Sequence, residues 1–305
     1  MNQASAVHHD QEHVVAGILC RMGSGLSFST MGALLKLAST HGLNAVELVF
    51  YRSLFSVPVV LLWVLSREQL SVLRPNNPLA HVWRSGLGLM SMGLTFQALI
   101  LLPLADATAI NFTAPIFATI LSFLILKEDV GPYRWAAVLV GFFGVLIVAR
   151  PGGSSLPVLG VAAALAAATG SAGVTTTLRH LQRSENISAI VFWFAVAGIV
   201  VAGLLMPFFG HAHSLEGLAL AAAGGLAGGA GQLFMTSSLR APVAVVMPFD
   251  YLQIVAATAY GWLLFSDVPT LSTIGGAALI AGSGLFTAWR EHRRRIRQEG
   301  TAPAV

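Results

Sequence analysis

The stretch from Pro242 to Pro269, PVAVVMPFDYLQIVAATAYGWLLFSDVP, decides how this chain is read. A membrane-spanning helix needs about 20 mostly apolar residues at about 1.5 Å of rise each, and this stretch has that length. It nevertheless carries Pro248 and Asp250 early in its course, and Asp250 is the only formal charge between Arg240 and Asp267. An acid at bilayer depth is expensive and by default marks a functional site.

Composition extends this reading to the whole chain. Of 305 residues 55% are apolar and only 10% charged, against about 25% charged in soluble domains. Ten apolar runs of spanning length follow one another, near 14–38, 45–66, 83–102, 106–126, 133–149, 158–178, 187–208, 215–238, 242–265 and 270–289, separated by turn-like breaks such as HGLN, KEDVGP and RPGGSSLP. The expected fold is an all-α polytopic membrane protein of ten transmembrane helices. Little is left for a soluble domain, and nothing points to nucleic acid.

The basic residues set the orientation. Arg67, Arg74 and Arg84 follow the second run, Lys127 and Arg134 the fourth, Arg179 and Arg183 the sixth, Arg240 the eighth, and five arginines lie between Arg290 and Arg297. The loops after runs one, three, seven and nine carry none, and the loop after run five only Arg150. Lys and Arg favour cytoplasmic loops, so both termini are expected in the cytoplasm. The N-terminal MNQASAVHHDQEH lacks a basic leader region and reads as a short solvated tail before a retained helix. The single Cys20 excludes an intrachain disulfide. The basic segment 291–305 reads as a topological anchor, with anionic lipid the alternative ligand.

The chain also repeats itself. Leu104–Arg150 and Leu239–Arg290 each open at an alanine turn (Ala105, Ala241) and place a proline inside the next run (Pro115, Pro248). Each ends that run at an acid (Glu128, Asp267) and closes with a glycine-containing helix. Equivalent positions lie five spans apart, so the halves 1–149 and 150–290 are expected to be inverted relative to each other. Inverted repeats with interrupted helices mark secondary transporters, whose substrate sits near the midplane.

The segments TAPIFATILSFLILKEDVGPYRWAAVLVGFFGVLIVARPG and APVAVVMPFDYLQIVAATAYGWLLFSDVP resemble the two EamA repeats of the drug/metabolite transporter superfamily. The resemblance runs from the first helix to Arg290, and is nearest to the YddG-like branch. It implies a ten-helix basket around a central cavity open alternately to either side, in the bacterial inner membrane. It also implies export of amino acids, aromatic ones included. Other members carry S-adenosylmethionine, riboflavin, purines or metallophores. The implied partners are a small-molecule substrate, the lipid bilayer and a coupling proton. No cofactor or metal is implied, and the assembly is a monomer or homodimer.

Polar residues within the runs are the candidate substrate contacts. Asp250 and Gln253, three apart, share a helical face beside Tyr251. Three roles stand open for Asp250: binding a substrate ammonium, carrying a coupling proton, or accepting hydrogen bonds that fix packing. In the first half Asn111 and Pro115 are four apart, and an amide can both donate and accept. Gln97 and Gln232 fall in the third and eighth helices, Gln232 after the glycine-rich GGLAGGAG. Those glycines read as packing surfaces rather than a phosphate loop, since no P-loop lysine follows. Trp193 offers a stacking face. Pro115 and Pro248 are the expected helix breaks.

A second cluster joins Lys36, at the end of the first helix, to Glu47 and Arg52 at the start of the second. The short loop between them suggests a Lys36–Glu47 pair, as a gate or as static charge neutralisation. A membrane-embedded enzyme is the competing class. No paired aspartates, HExxH helix or serine–histidine arrangement supports it, and His211 and His213 alone make a weak zinc site.

Overall fold

The computed structural model describes residues 3–67, 69–126, 131–150, 156–182, 184–238, 241 and 246–299, and among them every regular element is helical. The helices are α1 (Gln3–Thr40), α2 (Ala45–Arg67), α3 (Pro78–Leu101), α4 (Leu104–Asn111), α5 (Ala114–Leu126), α6 (Pro132–Ala149), α7 (Val158–Leu181), α8 (Ile187–Phe209), α9 (Leu215–Ser238), α10 (Leu252–Phe265) and α11 (Leu271–Glu299), with 3-10 turns at Leu70–Leu73 and Met247–Tyr251. Among the described residues six stretches are long and apolar enough to cross a membrane: Val15–Thr40, Ala45–Arg67, Leu104–Leu121, Val158–Thr175, Ile187–Phe209 and Leu215–Ser238. Trp135–Ala149 and Leu271–Thr287 are shorter apolar helices. The chain is thus a multi-pass membrane protein.

Several boundaries differ from the sequence reading. α1 starts at Gln3 within the segment expected as a tail, and α11 carries helix into the basic segment as far as Glu299. The fourth run is two helices, interrupted at Phe112 and Thr113. α3 begins five residues early because Pro78 takes the first turn, where its missing N–H costs nothing, and Asn77 caps Ala80 N at 3.2 Å. That start draws Arg84, expected in a cytoplasmic loop, into the helix and buries it. Lys127 and Glu128 lie outside the described residues.

Small residues decide which helices touch. On α9, Gly224, Gly228 and Gly231 form one edge against Leu35, Met31 and Phe28 of α1. Gly225 and Gly229 form another edge, against Phe55 and Ser56 of α2. The spacing i, i+4, i+7 keeps each edge on one face, and side chains there would hold the backbones apart. Ser56 Oγ donates across the second edge to the Gly225 carbonyl at 3.1 Å. α6 and α11 cross through Gly144 and Gly276: a Cβ on either would stand 2.8 or 2.6 Å from the other's carbonyl oxygen. α3 packs on α7, where Ser91 Oγ donates to the Ala167 carbonyl at 2.8 Å. Leu35, Leu48, Phe96, Leu102, Leu104, Ile110 and Ile280 form the buried core between these helices.

Candidate functional site

A cavity opens where α1, α3, α4, α7 and the start of α10 converge, with Ser29, Met31, Thr95, Thr108, Asn111 and Gln253 among its lining residues. The helix interruption makes it. In α-helical geometry the N–H of residue 115 would bond to the carbonyl of residue 111, and proline has no N–H to give. The chain turns at Phe112 and Thr113, and Asn111 stands at the end of α4. Its side-chain Oδ1 is shut off from bulk water and has no hydrogen-bond partner among the described residues. An unpaired acceptor of this kind costs free energy unless a ligand or water takes it up.

The second half brings its own irregular segment to the same place. The chain passes through the 3-10 turn Met247–Tyr251, with Pro248 in its first positions, into α10. Ser29 Oγ of α1 donates to the Gln253 carbonyl at 2.9 Å, fixing that first turn beside the cavity. The Tyr251 ring packs on Phe112 with centroids 5.3 Å apart, so the two interruptions touch. Gly284 makes room for the Tyr251 hydroxyl, which a Cβ would meet at 2.1 Å. The water-accessible volume is about 40 Å³, space for about three waters. A metabolite needs the helices to part.

Asp250 faces a partner that the sequence reading overlooked. Arg21 of α1 donates from Nε and Nη2 to the two carboxylate oxygens of Asp250, and from Nη1 to Ser238 Oγ at 3.3 Å. This forked pair ties α1 to the irregular segment before α10 and to the end of α9. Of the open roles for Asp250, the geometry displays an internal ion pair, and Asp250 is not among the residues that line the cavity. The signal was available: Arg21 is a charge inside an apolar run, as Asp250 is.

The expected Lys36–Glu47 pair is absent. Lys36 Nζ donates to the Leu99 carbonyl at 2.9 Å and to the Leu102 carbonyl, and lies 5.5 Å from the Phe265 ring centroid. It serves the carbonyls at the C-terminus of α3, where a cation is favoured. Glu47 is fully buried and accepts from Asn44 N (2.9 Å), His211 N (2.8 Å) and the His213 ring (2.6 Å). It therefore clamps the loop between α8 and α9 onto the start of α2. The physical reason is rotation: a short loop brings two helix ends together without aiming side chains at one another.

Trp193 is also away from the cavity. Its indole N–H donates to the Leu73 carbonyl at 2.8 Å and its ring packs edge-on against Phe192, fastening α8 to the 3-10 turn after α2. Gln97 is half-buried on α3 outside the cavity lining. Gln232 is buried on α9, its Nε2 without a partner among the described residues. Arg52 is buried against Phe194. Among the described residues no group of three or more His, Cys, Asp or Glu stands together as a metal site.

Residues 15–150 match the profile of the EamA-like transporter family. Pseudopaline exporter CntI of Pseudomonas aeruginosa is 31% identical over 268 residues, 87% of this chain and 93% of that protein. A riboflavin transporter of Rhizobium johnstonii is 31% identical over 303 residues, 96% of this chain and 97% of that protein. An S-adenosylmethionine uptake transporter of Rickettsia bellii is 26% identical, over 82% of this chain and 86% of that protein. A solved crystal structure, 24% identical, superposes with a TM-score of 0.65 over 92% of this chain and 98% of that one, a likeness of fold.

Proposed function

Because this chain belongs to the EamA-like transporter family, we propose that it is a secondary carrier that moves a small polar metabolite by alternating access through the cavity at Asn111 and Gln253. One observation carries the reading: the two proline-associated interruptions meet at a cavity holding an acceptor, Asn111 Oδ1, with no partner of its own among the described residues. The halves 1–149 and 150–290 act as inverted units with both termini in the cytoplasm, rocking about this point. Asn111 and Gln253 hold the cargo by their amides, while Thr95 and Thr108 offer hydroxyl oxygens beside them.

The small volume supports a carrier rather than an open pore, since cargo enters only as helices separate. The Arg21–Asp250 pair keeps the second interruption attached to α1 while that happens. Export is the working direction, on the likeness to the pseudopaline exporter. Amino acids form the first substrate class to test, as expected from the sequence. Riboflavin and S-adenosylmethionine form the second, on the relatives' names.

The test is counterflow into proteoliposomes loaded with one candidate at a time, comparing wild type with Asn111→Ala and Gln253→Ala. Exchange of one class by wild type, and its loss in both variants at unchanged reconstitution, is the expected result. Undiminished exchange in both variants moves the cargo site elsewhere.

A further inference from the structure

Arg52 of α2 and Arg84 of α3 are each only 3% exposed. Their guanidiniums stand over one ring, that of Phe194 on α8, at 5.4 and 4.3 Å from its centroid. Two like charges are thereby held within about 10 Å of each other in a poorly solvated interior, where they repel strongly. Among the described residues neither arginine makes an ion pair or a side-chain hydrogen bond, and Arg52 Nε, Arg84 Nε and Arg84 Nη1 are buried without any partner. Glu185 accepts from Asn77 N at 2.6 Å through Oε1, while its Oε2, 3.5 Å from His81 Nε2, is buried without a hydrogen-bond partner among the described residues and pairs with neither arginine.

An aromatic face returns less than the desolvation of an unpaired cation costs, and two cations share this one. Among the described residues the two cations have no counter-charge. Glycines make room for the two guanidiniums themselves. A Cβ at Gly88 would meet Arg84 Nη1 at 2.2 Å, and a Cβ at Gly228 would meet Arg52 Nε at 3.1 Å. The same position at Gly228 stands 2.7 Å from Met31 Sδ, and Met31 lines the cavity. The thioether of one flexible, unbranched side chain that lines the cavity thus lies beside Arg52.

We propose that Arg52 and Arg84 form an internal oxyanion site, reached from the cavity past Met31, that takes a carboxylate or phosphate group of the transported metabolite. The planar guanidinium fork matches both groups in pairs of parallel hydrogen bonds. Cargo held by its neutral part at Asn111 and Gln253 places its acidic end between the arginines once Met31 turns aside. Gln232, one turn beyond Gly228 with a buried Nε2 that has no partner among the described residues, supplies a further donor on the α9 side. Naming the anion as cargo rests on the carrier reading, whereas the binding itself does not.

The test is therefore made without transport, on purified full-length protein in lipid-free detergent, by thermal unfolding with sodium succinate or phosphate against sodium chloride at equal ionic strength. The expected result is a saturable rise of the midpoint with succinate or phosphate only, as a ligand of the native state gives. Arg52→Gln and Arg84→Gln each abolish the rise, and each unfolds in chloride at or above the wild-type midpoint because the cation removed had no partner. A rise of equal size with chloride, or one that persists in the double variant, overturns the proposal. Should the variants fail to fold, phenylglyoxal modification of wild type followed by peptide mass analysis replaces them. Succinate is expected to slow modification at Arg52 and Arg84 at least several-fold, and equal rates with and without it overturn the site. A succinate response lost in phosphatidylglycerol nanodiscs but kept in phosphatidylcholine ones assigns the site to a lipid headgroup and overturns the cargo assignment. Succinate binding without exchange of any substrate sinks the carrier reading while leaving the anion site standing.

Discussion

Removing either partner of the Arg21–Asp250 pair leaves the other charge stranded between α1 and the segment that leads into α10. The side chains are 12% and 25% exposed, and three donors of one guanidinium are committed to Asp250 and Ser238. Breaking a buried pair costs about 3–5 kcal/mol, most of it the price of the uncompensated charge. Partial exposure places this pair at the lower end, about 3 kcal/mol, roughly a 150-fold change in the unfolding equilibrium at 1.36 kcal/mol per tenfold. Arg21→Gln and Asp250→Asn are each expected to show that loss. The double variant strands no charge and is expected within about 1 kcal/mol of wild type. The assay is equilibrium unfolding by dodecyl sulfate in mixed micelles, followed by the fluorescence of the six tryptophans, with all four proteins forming a double-mutant cycle. Single losses that add in the double variant to within about 0.5 kcal/mol would refute the pair as a coupled unit.

Three other substitutions probe the packing. Gly276→Ala drives a methyl to 2.6 Å from the Gly144 carbonyl and is expected to cost about 1–3 kcal/mol. Gly275→Ala, one residue away with nothing within 4 Å, is expected to be neutral or to gain up to about 1 kcal/mol from helix propensity in the same unfolding assay. Lys36→Met strips the Leu99 and Leu102 carbonyls of their donor and is expected to lower stability by about 2 kcal/mol, seen as earlier proteolysis at the α3–α4 junction. Trp193→Phe forfeits the bond to Leu73, about 1 kcal/mol, and leaves counterflow exchange at the wild-type rate, because the indole lies outside the cavity.

The membrane class and the helices followed from composition and run length, because the bilayer fixes how long and how apolar a span must be. The interruption at Asn111 was legible through Pro115, since a missing N–H acts on its own helix wherever that helix packs. The packing role of the α9 glycines was legible for a similar local reason. Rotation about the helix axis was not. Lys36, Glu47 and Trp193 each lie where the runs put them, yet each faces a neighbour that only tertiary packing selects: the end of α3, the α8–α9 loop and the turn after α2. Arg84 was misplaced because α3 begins at Pro78, so that a charge counted with the loop stands one turn and a half inside the helix. Arg21 needed only the rule that drew attention to Asp250, applied to the first run as well.

Alternating access requires the cavity at Asn111 to open to each side of the membrane in turn. The direct measurement introduces Ala107→Cys, one turn from Asn111 in the cavity lining, into a Cys20→Ser background and labels it with a membrane-impermeant thiol reagent in right-side-out and in inside-out vesicles. Labelling from both faces, with a substrate that passes the counterflow test slowing it from both, is the expected result. Labelling from one face only, under every gradient applied, would contradict alternating access at this site.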